Sequence, residues 1–257
     1  MKLSFICPSN NPKMYRDCII KSLERQKNRD FELILVDTLK EHYSSAAAAL
    51  NAGAAKASGD YFVFLHHDII FESDSFIDEL IGIIDRCSFL IGGVAGVRKK
   101  GKHCPNRIIS NIVHGENEHK RAPSNITFTD PTPLETVDEC CFVIPADVFR
   151  KRNFPEFTPT WHLYAVEYCL WAHDQDIENP VLLLPARLWH LSTGDSLNQN
   201  YFSALRILRR MYRRDIISTV GAWPYSLIPF QYKVLRRRIR LFRHSIRQKR
   251  AMRKQQH

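Results

Sequence analysis

The triplet His66-His67-Asp68 follows directly on the apolar run Tyr61-Phe62-Val63-Phe64-Leu65. Imidazole nitrogens and carboxylate oxygens are ligands for divalent cations. Alternate side chains of an extended strand share a face, so His66 and Asp68 can converge on one point while His67 points away. A divalent cation could be held there. The competing reading is structural: two histidines and an aspartate that cap a strand by bonding to backbone amides.

Which reading holds depends on the elements around the triplet. The run before it is short, aromatic and β-branched, which suits a central strand buried on both faces. Upstream, residues 3–7 read as a first strand, and Asn11-Pro12 supplies an N-cap with proline at the first helical position, opening a helix to about residue 26. Residues 31–36 form a second strand closed by Asp37. Ser44 and Ser45 can cap an alanine-rich helix over 46–57, whose small side chains permit close approach to a sheet, and Gly59 marks its end. A helix over 73–87 and a strand over 91–97 continue the alternation, which predicts an α/β fold: a mostly parallel central sheet with right-handed crossovers and flanking helices. Such sheets bind ligands at the carboxyl ends of their strands, where the triplet stands. Residues 99–133 turn polar with weak periodicity and read as a long active-site loop region. Apolar order returns over 137–144, then in helices after Pro145 and over 164–172 and a strand over 181–184.

Composition narrows the class. A chain of 257 residues, 44% hydrophobic, buries one substantial core with an appendage. No apolar segment reaches the roughly 18 to 20 residues that cross a bilayer, since the longest candidate, 77–97, contains Asp78, Glu79, Asp85 and Arg86. The run Met1 to Pro8 is too short for a secretory signal, so a cytoplasmic protein is expected. Seven cysteines without CxxC spacing fit reduced thiols better than disulfides or a zinc site, and Cys140-Cys141 in an apolar run behaves as a pair of small hydrophobes.

Charge divides the chain. From Tyr201 onward 16 Lys and Arg stand against one acid, Asp215, a net +15; the remaining 21 bases and 26 acids give residues 1–200 a net −5. Two stretches of the basic part are amphipathic. Phe202, Leu205, Leu208 and Tyr212 recur at helical spacing between arginines, and Tyr232, Leu235, Ile239, Phe242 and Ile246 alternate spacings of three and four. An apolar stripe against a dense Arg/Lys face suits a helix lying on an anionic membrane surface. A solvated basic tail and a nucleic-acid contact are the alternatives, and the body carries no nucleic-acid motif, so none is expected as a partner. Domain organisation is therefore read as 1–200 for the α/β domain and 201–257 for a basic helical C-terminal extension.

Several segments resemble, in order and spacing, the inverting nucleotide-sugar glycosyltransferases of family two, which have the GT-A fold. They are Ser4-Phe5-Ile6-Cys7-Pro8, Glu32-Leu33-Ile34-Leu35-Val36-Asp37, Asn51-Ala52-Gly53 through Ala57-Ser58-Gly59-Asp60-Tyr61, and Phe64-Leu65-His66-His67-Asp68. The stretch His162-Leu163-Tyr164-Ala165-Val166-Glu167-Tyr168-Cys169-Leu170 and the pair Trp189-His190 complete the match. The nearest branch is bacterial and writes the family's DxD metal motif as His-any-Asp. The resemblance implies a donor pocket of Pro8, Ser9, Asp37, Lys56 and His67, with Asp37 accepting from the base or ribose; the alternative for Asp37 is a turn former, and for Lys56 a solvated charge. It also implies a metal, Mn2+ or Mg2+, on His66, Asp68 and His190, where imidazole favours manganese; the alternative for His190 is an ordinary strand-end histidine beside Trp189. Trp161 and His162, ahead of the later helix, are of types that stack on or bond to an acceptor sugar, the alternative being a buried anchoring tryptophan. The carboxylate expected as base in the family's Tyr-Asp pair is missing, because Tyr164 is followed by Ala165. Glu167 is the first substitute, although it projects about 200° around the helix from Ala165; Asp138 or Glu139 is the other.

The reading these observations favour is a metal-dependent inverting glycosyltransferase of bacterial polysaccharide assembly. It would use a nucleotide-diphosphate sugar and a glycan or lipid-linked acceptor, as a peripheral protein at the cytoplasmic face of the inner membrane. The alternatives are an inactive relative that serves as a binding or assembly partner, and a nucleic-acid-binding protein.

Overall fold

A computed structural model describes residues 1–98, 107–115, 127–191 and 199–255 of the chain. Its first half alternates strand and helix: β1 (Leu3–Ser9), α1 (Pro12–Tyr15), a π turn (Arg16–Ile20), α2 (Lys21–Glu24), β2 (Phe31–Asp37), α3 (Ala46–Ala54), β3 (Tyr61–Leu65), β4 (Ile69–Phe71) and α4 (Phe76–Ile84). Short strands follow: β5 (Ile91–Gly93), β6 (Ala95–Arg98), β7 (Arg107–Ser110), β8 (Val113–His114), β9 (Thr132–Pro133), β10 (Thr136–Val137) and β11 (Cys141–Pro145). The last part comprises α5 (Ala146–Lys151), α6 (Tyr164–Ala172), β12 (Val181–Leu183), β13 (Leu188–His190), α7 (Gln199–Tyr212), β14 (Ile216–Ser218), β15 (Gly221–Trp223) and α8 (Leu227–Gln255).

Local chemistry sets the boundaries. The Asn11 side chain accepts the Met14 N–H at 3.0 Å, with Pro12 at the first helical position. Ser45 Oγ accepts the Ala48 N–H at 3.1 Å and starts α3. The alanines let α3 lie close on β1 and β2; a Cβ added to Gly53 would sit 2.6 Å from Ile6 Cγ2 and 2.7 Å from Val36 Cγ2.

The central sheet has the order β2-β1-β3-β11-β5-β12-β9. Five strands, β2, β1, β3, β5 and β12, run in one direction, and β11 and β9 oppose them. This is the mostly parallel α/β architecture expected. The alternation of side chains divides the core into two layers: Phe5, Cys7, Val63, Leu65, Cys141 and Val143 on one face, Ile6, Phe62, Phe64, Phe142 and Ile144 on the other. Phe64 and Phe142 stack across adjacent strands at 5.2 Å.

Two expected strands are broken. The 91–97 strand divides at Val94, because β11 enters between β3 and β5 and the second half, β6, joins a separate three-stranded sheet, β10-β6-β7. The 137–144 strand divides into β10 and β11 around a turn at Asp138-Glu139-Cys140. That interruption matters for the site. Of the loop region 99–133, residues 99–106 and 116–126 lie outside those described.

The expected extension does not stand apart as a whole. Tyr201, Phe202, Leu205 and Leu208 of α7 pack with Leu163, Val166 and Leu170 around α6, together with Ile216, Trp223, Phe230 and Val234. The first amphipathic stripe is therefore core, and the exposed basic helix is α8.

At the opposite edge of the sheet from the triplet, Glu32 ties three segments together. Its carboxylate accepts from Ser4 Oγ at 2.5 Å, Ser58 N at 2.6 Å and Gly59 N at 3.1 Å, with Lys2 Nζ at 3.5 Å. Burial opposes ionisation, but these donors prevail and hold the carboxyl down at about 2, against a usual 4.5. Its contribution is thus complete above about pH 4.5 and is lost as pH falls toward 2. Glu32→Gln should lower stability by about 1 to 3 kcal/mol at pH 7 in urea unfolding, with the difference from wild type shrinking below pH 4.

Candidate functional site

β3 ends at Leu65, the chain turns through His66-His67-Asp68, and β4 begins at Ile69. β4 does not continue the central sheet; it pairs in the three-stranded sheet β4-β13-β8. In that register His190 lies opposite Ile69 and beside His114. The Leu191 N–H also bonds to the Asp68 carbonyl at 3.1 Å, which fixes the two segments at that point. The result is a cluster from three distant parts of the sequence. His190 Nε2 is 3.3 Å from Asp68 Oδ1, and His66 Nδ1 is 4.0 Å from the same oxygen. One ligand atom from each of His66, Asp68 and His190 lies within 4.8 Å of the others. The His114 ring sits 5.4 Å from that of His190, a neighbour the sequence reading did not include.

The donor set of this cluster is incompletely satisfied. Asp68 Oδ1 and His190 Nε2 face each other at 3.3 Å without the geometry of a good hydrogen bond, and His190 Nδ1 is buried with no hydrogen-bond partner among the described residues. Burial raises the Asp68 carboxyl, but the adjacent His190 and His66 outweigh it and keep the group below its usual range, as an anion. An anionic oxygen and two imidazole nitrogens with free lone pairs form a set that suits a divalent cation, so the residues fit the metal the sequence resemblance implies.

The neighbouring strand ends form a floor beside the cluster. Ser9 pairs with Asp37 across β1 and β2, and β3 flanks β1 on its other side. Asp37 and His67 therefore stand on either side of the Pro8–Ser9 end of β1. The His67 ring meets the Pro8 carbonyl, while burial lowers its affinity for a proton. Ser9 Oγ is engaged with the backbone of Asn11. Asp37 is a turn former: Oδ1 accepts the N–H groups of Leu39 and Lys40 at 3.1 and 3.2 Å. Oδ2 meets the exposed Lys40 Nζ at 3.5 Å. Lys56 is not brought here. α3 begins beside Thr160 at the site edge and runs away from it, so that Gly59 meets Ser4 at the start of β1. Lys56, just past that helix, is exposed near the far edge of the sheet.

Three carboxylates were candidates for proton removal, and the structure separates them. Glu167 is 1% exposed and paired with Arg152 at 2.7 Å, and it also accepts from the Tyr212 hydroxyl. The same guanidinium lies over the Trp171 and Tyr168 rings at 4.6 and 5.0 Å. Glu167 is committed to this buried packing, and its expected role as base is corrected. Asp138 stands near His66, but its oxygens are taken by the Cys140 N–H at 3.0 Å and Thr219 Oγ1 at 2.6 Å. Glu139, beside it, is different. The N–H groups of Leu163, Tyr164 and Ala165 at the start of α6 point at its carboxylate, and Oε1 has no partner. Leu163 holds the left-handed conformation, φ 69°, that turns these amides inward. Burial and the charge of Asp138 push the Glu139 carboxyl up to about 8 against the pull of those amides.

Comparison with known proteins decides the family. The family model described as glycosyltransferase-like family matches residues 4–207. The chain belongs to the glycosyltransferase-like family. The first 349 residues of S. aureus TarS, in complex with UDP-GlcNAc, share the fold of this chain at a TM-score of 0.57 and 14% identity, over 82% of this chain and 66% of that one. GalNAc-T7 with UDP, GalNAc and Mn2+ gives 0.54 at 14% identity, over 75% of this chain and 44% of the other. The chain thus spans under two thirds of the TarS segment and under half of GalNAc-T7. No curated protein matches it by sequence.

The acceptor candidates Trp161 and His162 directly precede the amides that face Glu139. Trp161 is 43% exposed, and the His162 ring packs edge-on against Tyr201 at 5.7 Å. His114 was missed because pairing of β8 with β13 is a long-range event, and Glu139 could not be ranked above Asp138 without the turn that separates β10 from β11. The assignment of Glu167 to packing has a direct consequence. Glu167→Gln should leave a guanidinium buried without its anion and cost about 3 kcal/mol in thermal or denaturant unfolding, while nucleotide binding measured by calorimetry stays within about twofold, well under the roughly 1.4 kcal/mol of a tenfold change.

Proposed function

We propose that this glycosyltransferase moves a sugar from a nucleoside diphosphate donor to a hydroxyl of a glycan or lipid-linked acceptor, by a metal-assisted displacement with inversion. The observation that carries the proposal is the buried cluster of His66, Asp68 and His190 ligand atoms, their hydrogen bonding incomplete, at the carboxyl edge of the sheet beside Asp37. Binding of UDP by TarS makes uridine diphosphate sugars the first donors to test.

His66, Asp68 and His190 would hold a divalent cation, with manganese favoured by the two imidazoles. When bound, such a cation supplies positive charge to the diphosphate as the glycosidic bond breaks. Asp37 and the Pro8–Ser9 strand end receive the nucleoside, with His67 between them and the cluster. Inversion requires an acceptor hydroxyl to attack from the face opposite the leaving group and to lose its proton. Glu139 is the carboxylate for that proton: it reaches the start of α6 where Ala165 supplies none, and Trp161 and His162 flank the same helix start, whereas Glu167, which like Glu139 has one unpartnered oxygen, is held by Arg152 and Tyr212. Asp138 next to it, with Tyr164, Cys169 and Tyr201, makes up the titratable surroundings of Glu139. As a base it works ionised, so turnover rises with pH through about 8 and then levels.

Ala165 also favours a second reading, a nucleotide-sugar binder that performs no transfer. Calorimetry with uridine diphosphate sugars and Mn2+ should show binding that chelation abolishes and that Asp68→Asn weakens by about tenfold or more. Glu139→Gln should keep that binding, lose turnover by about 100-fold or more and lose the rise with pH. Binding indifferent to chelator and to Asp68→Asn would overturn the metal assignment. Normal turnover in Glu139→Gln would remove Glu139 as base, and donor binding without turnover in wild type would select the second reading.

A further inference from the structure

α8 has two apolar faces, and the body uses one of them. Phe230, Val234 and Leu241 point inward to the cluster around Trp223 and α6. Ile228, Tyr232, Leu235, Ile239 and Phe242 do not: they are 81%, 59%, 57%, 42% and 68% exposed. At 100° per residue the second set is centred roughly 150° around the helix from the first. Its spacing of four, three, four and three makes a continuous stripe over four turns. The stripe is therefore not a by-product of packing, since the fold leaves it entirely outside.

Charge indicates what covers it. Arg236, Arg240 and Arg243 line one margin of the stripe and Arg238 the other, and no acidic residue occurs after Asp215. A second copy of α8 would bring like charge to both margins, with no acid to pair across them. A nucleic acid would meet the arginines, but three of the five stripe residues are aliphatic and give bases nothing to stack on. A surface that is negative at its boundary and apolar just beneath satisfies both features together. At 29 residues the helix is about 43 Å long, and among the described residues no helix is apolar enough to cross a bilayer. We infer that the outer face of α8, from Ile228 to Phe242, docks in the plane of an anionic lipid bilayer and so holds the glycosyltransferase at a membrane surface.

The geometry of attachment supports this. Phe230 lies against Trp223, ring centroids 6.5 Å apart, and under the Arg209 guanidinium at 5.0 Å, while Lys233 Nζ bonds to the Ala222 carbonyl at 3.0 Å. The start of α8 is thereby fixed to the hairpin β14–β15, whose connecting residue Thr219 holds Asp138 in the site. Docking would orient the site relative to the bilayer as well as tether it.

The test uses the full chain and vesicles of phosphatidylcholine, alone or mixed with phosphatidylglycerol. Co-sedimentation should show binding to the mixed vesicles, weakened by added salt and absent with phosphatidylcholine alone. Replacing Leu235, Ile239 and Phe242 together by Gln should lower vesicle affinity by at least about tenfold, from the lost apolar burial, and leave the thermal midpoint unchanged because these side chains make no core contact. Equal binding to both kinds of vesicle, no binding to either, or undiminished binding by the triple variant would overturn the inference. So would a dimer in sedimentation equilibrium that the triple variant dissolves, which assigns the stripe to a second copy, or tight salt-sensitive binding of single-stranded nucleic acid in place of vesicles. None of these readouts depends on sugar transfer, so failure here leaves the proposed reaction standing, and the reverse holds.

Discussion

Three buried polar atoms with incomplete hydrogen bonding, Oδ1 of Asp68 and the two ring nitrogens of His190, are the constraint from which the rest of this site follows. A buried polar group left unpaired costs about 1 to 3 kcal/mol, and here the costs fall on neighbouring groups. Such an arrangement persists only where the scaffold imposes it. The imposition comes from two sheets meeting at one point. β3 delivers the triplet from the central sheet, and β4 then departs into a second sheet where β13 brings His190 alongside. Neither sheet could release these side chains without breaking its own ladder.

A comparable balance governs the opposite wall of the site. The amides that open α6 present partial positive charge, and Leu163 adopts a left-handed conformation to aim them. That backbone costs on the order of 1 to 2 kcal/mol. The group it serves belongs to another element: Glu139, in the turn where an apolar strand would otherwise run through. The helix start thus has its carboxylate, supplied in space although residue 165 supplies none in sequence. Glu167, on the same helix, shows the opposite outcome, because Arg152 and Tyr212 enclose it from elements on either side.

The C-terminal elements extend the scaffold and do not simply follow it. α7 buries its apolar face on α6, and Thr219 in the hairpin beyond it bonds to Asp138. The site is therefore buttressed by residues well past position 200, and a division of the chain there separates charge better than it separates packing. Among the described helices, α8 carries an apolar stripe that the fold leaves exposed.

Much was legible in the residues alone because it depends on local pattern. Strand and helix succession, the caps at Asn11 and Ser45, the metal-ligand chemistry of the triplet and the place of Asp37 at a strand end all follow from short-range spacing and side-chain type. The family resemblance came from the order of those same segments. What spacing cannot convey is which distant elements meet. The entry of β11 between β3 and β5, the pairing that sets His114 beside His190, the burial of Glu167 under Arg152 and the position of Lys56 on the wrong edge all depend on contacts between residues far apart in the chain. The two stripes of basic helix illustrate the difference most simply. Both α7 and α8 read as amphipathic, since periodicity reports that a face is apolar, but whether that face meets the core or the solvent is fixed by what else packs there.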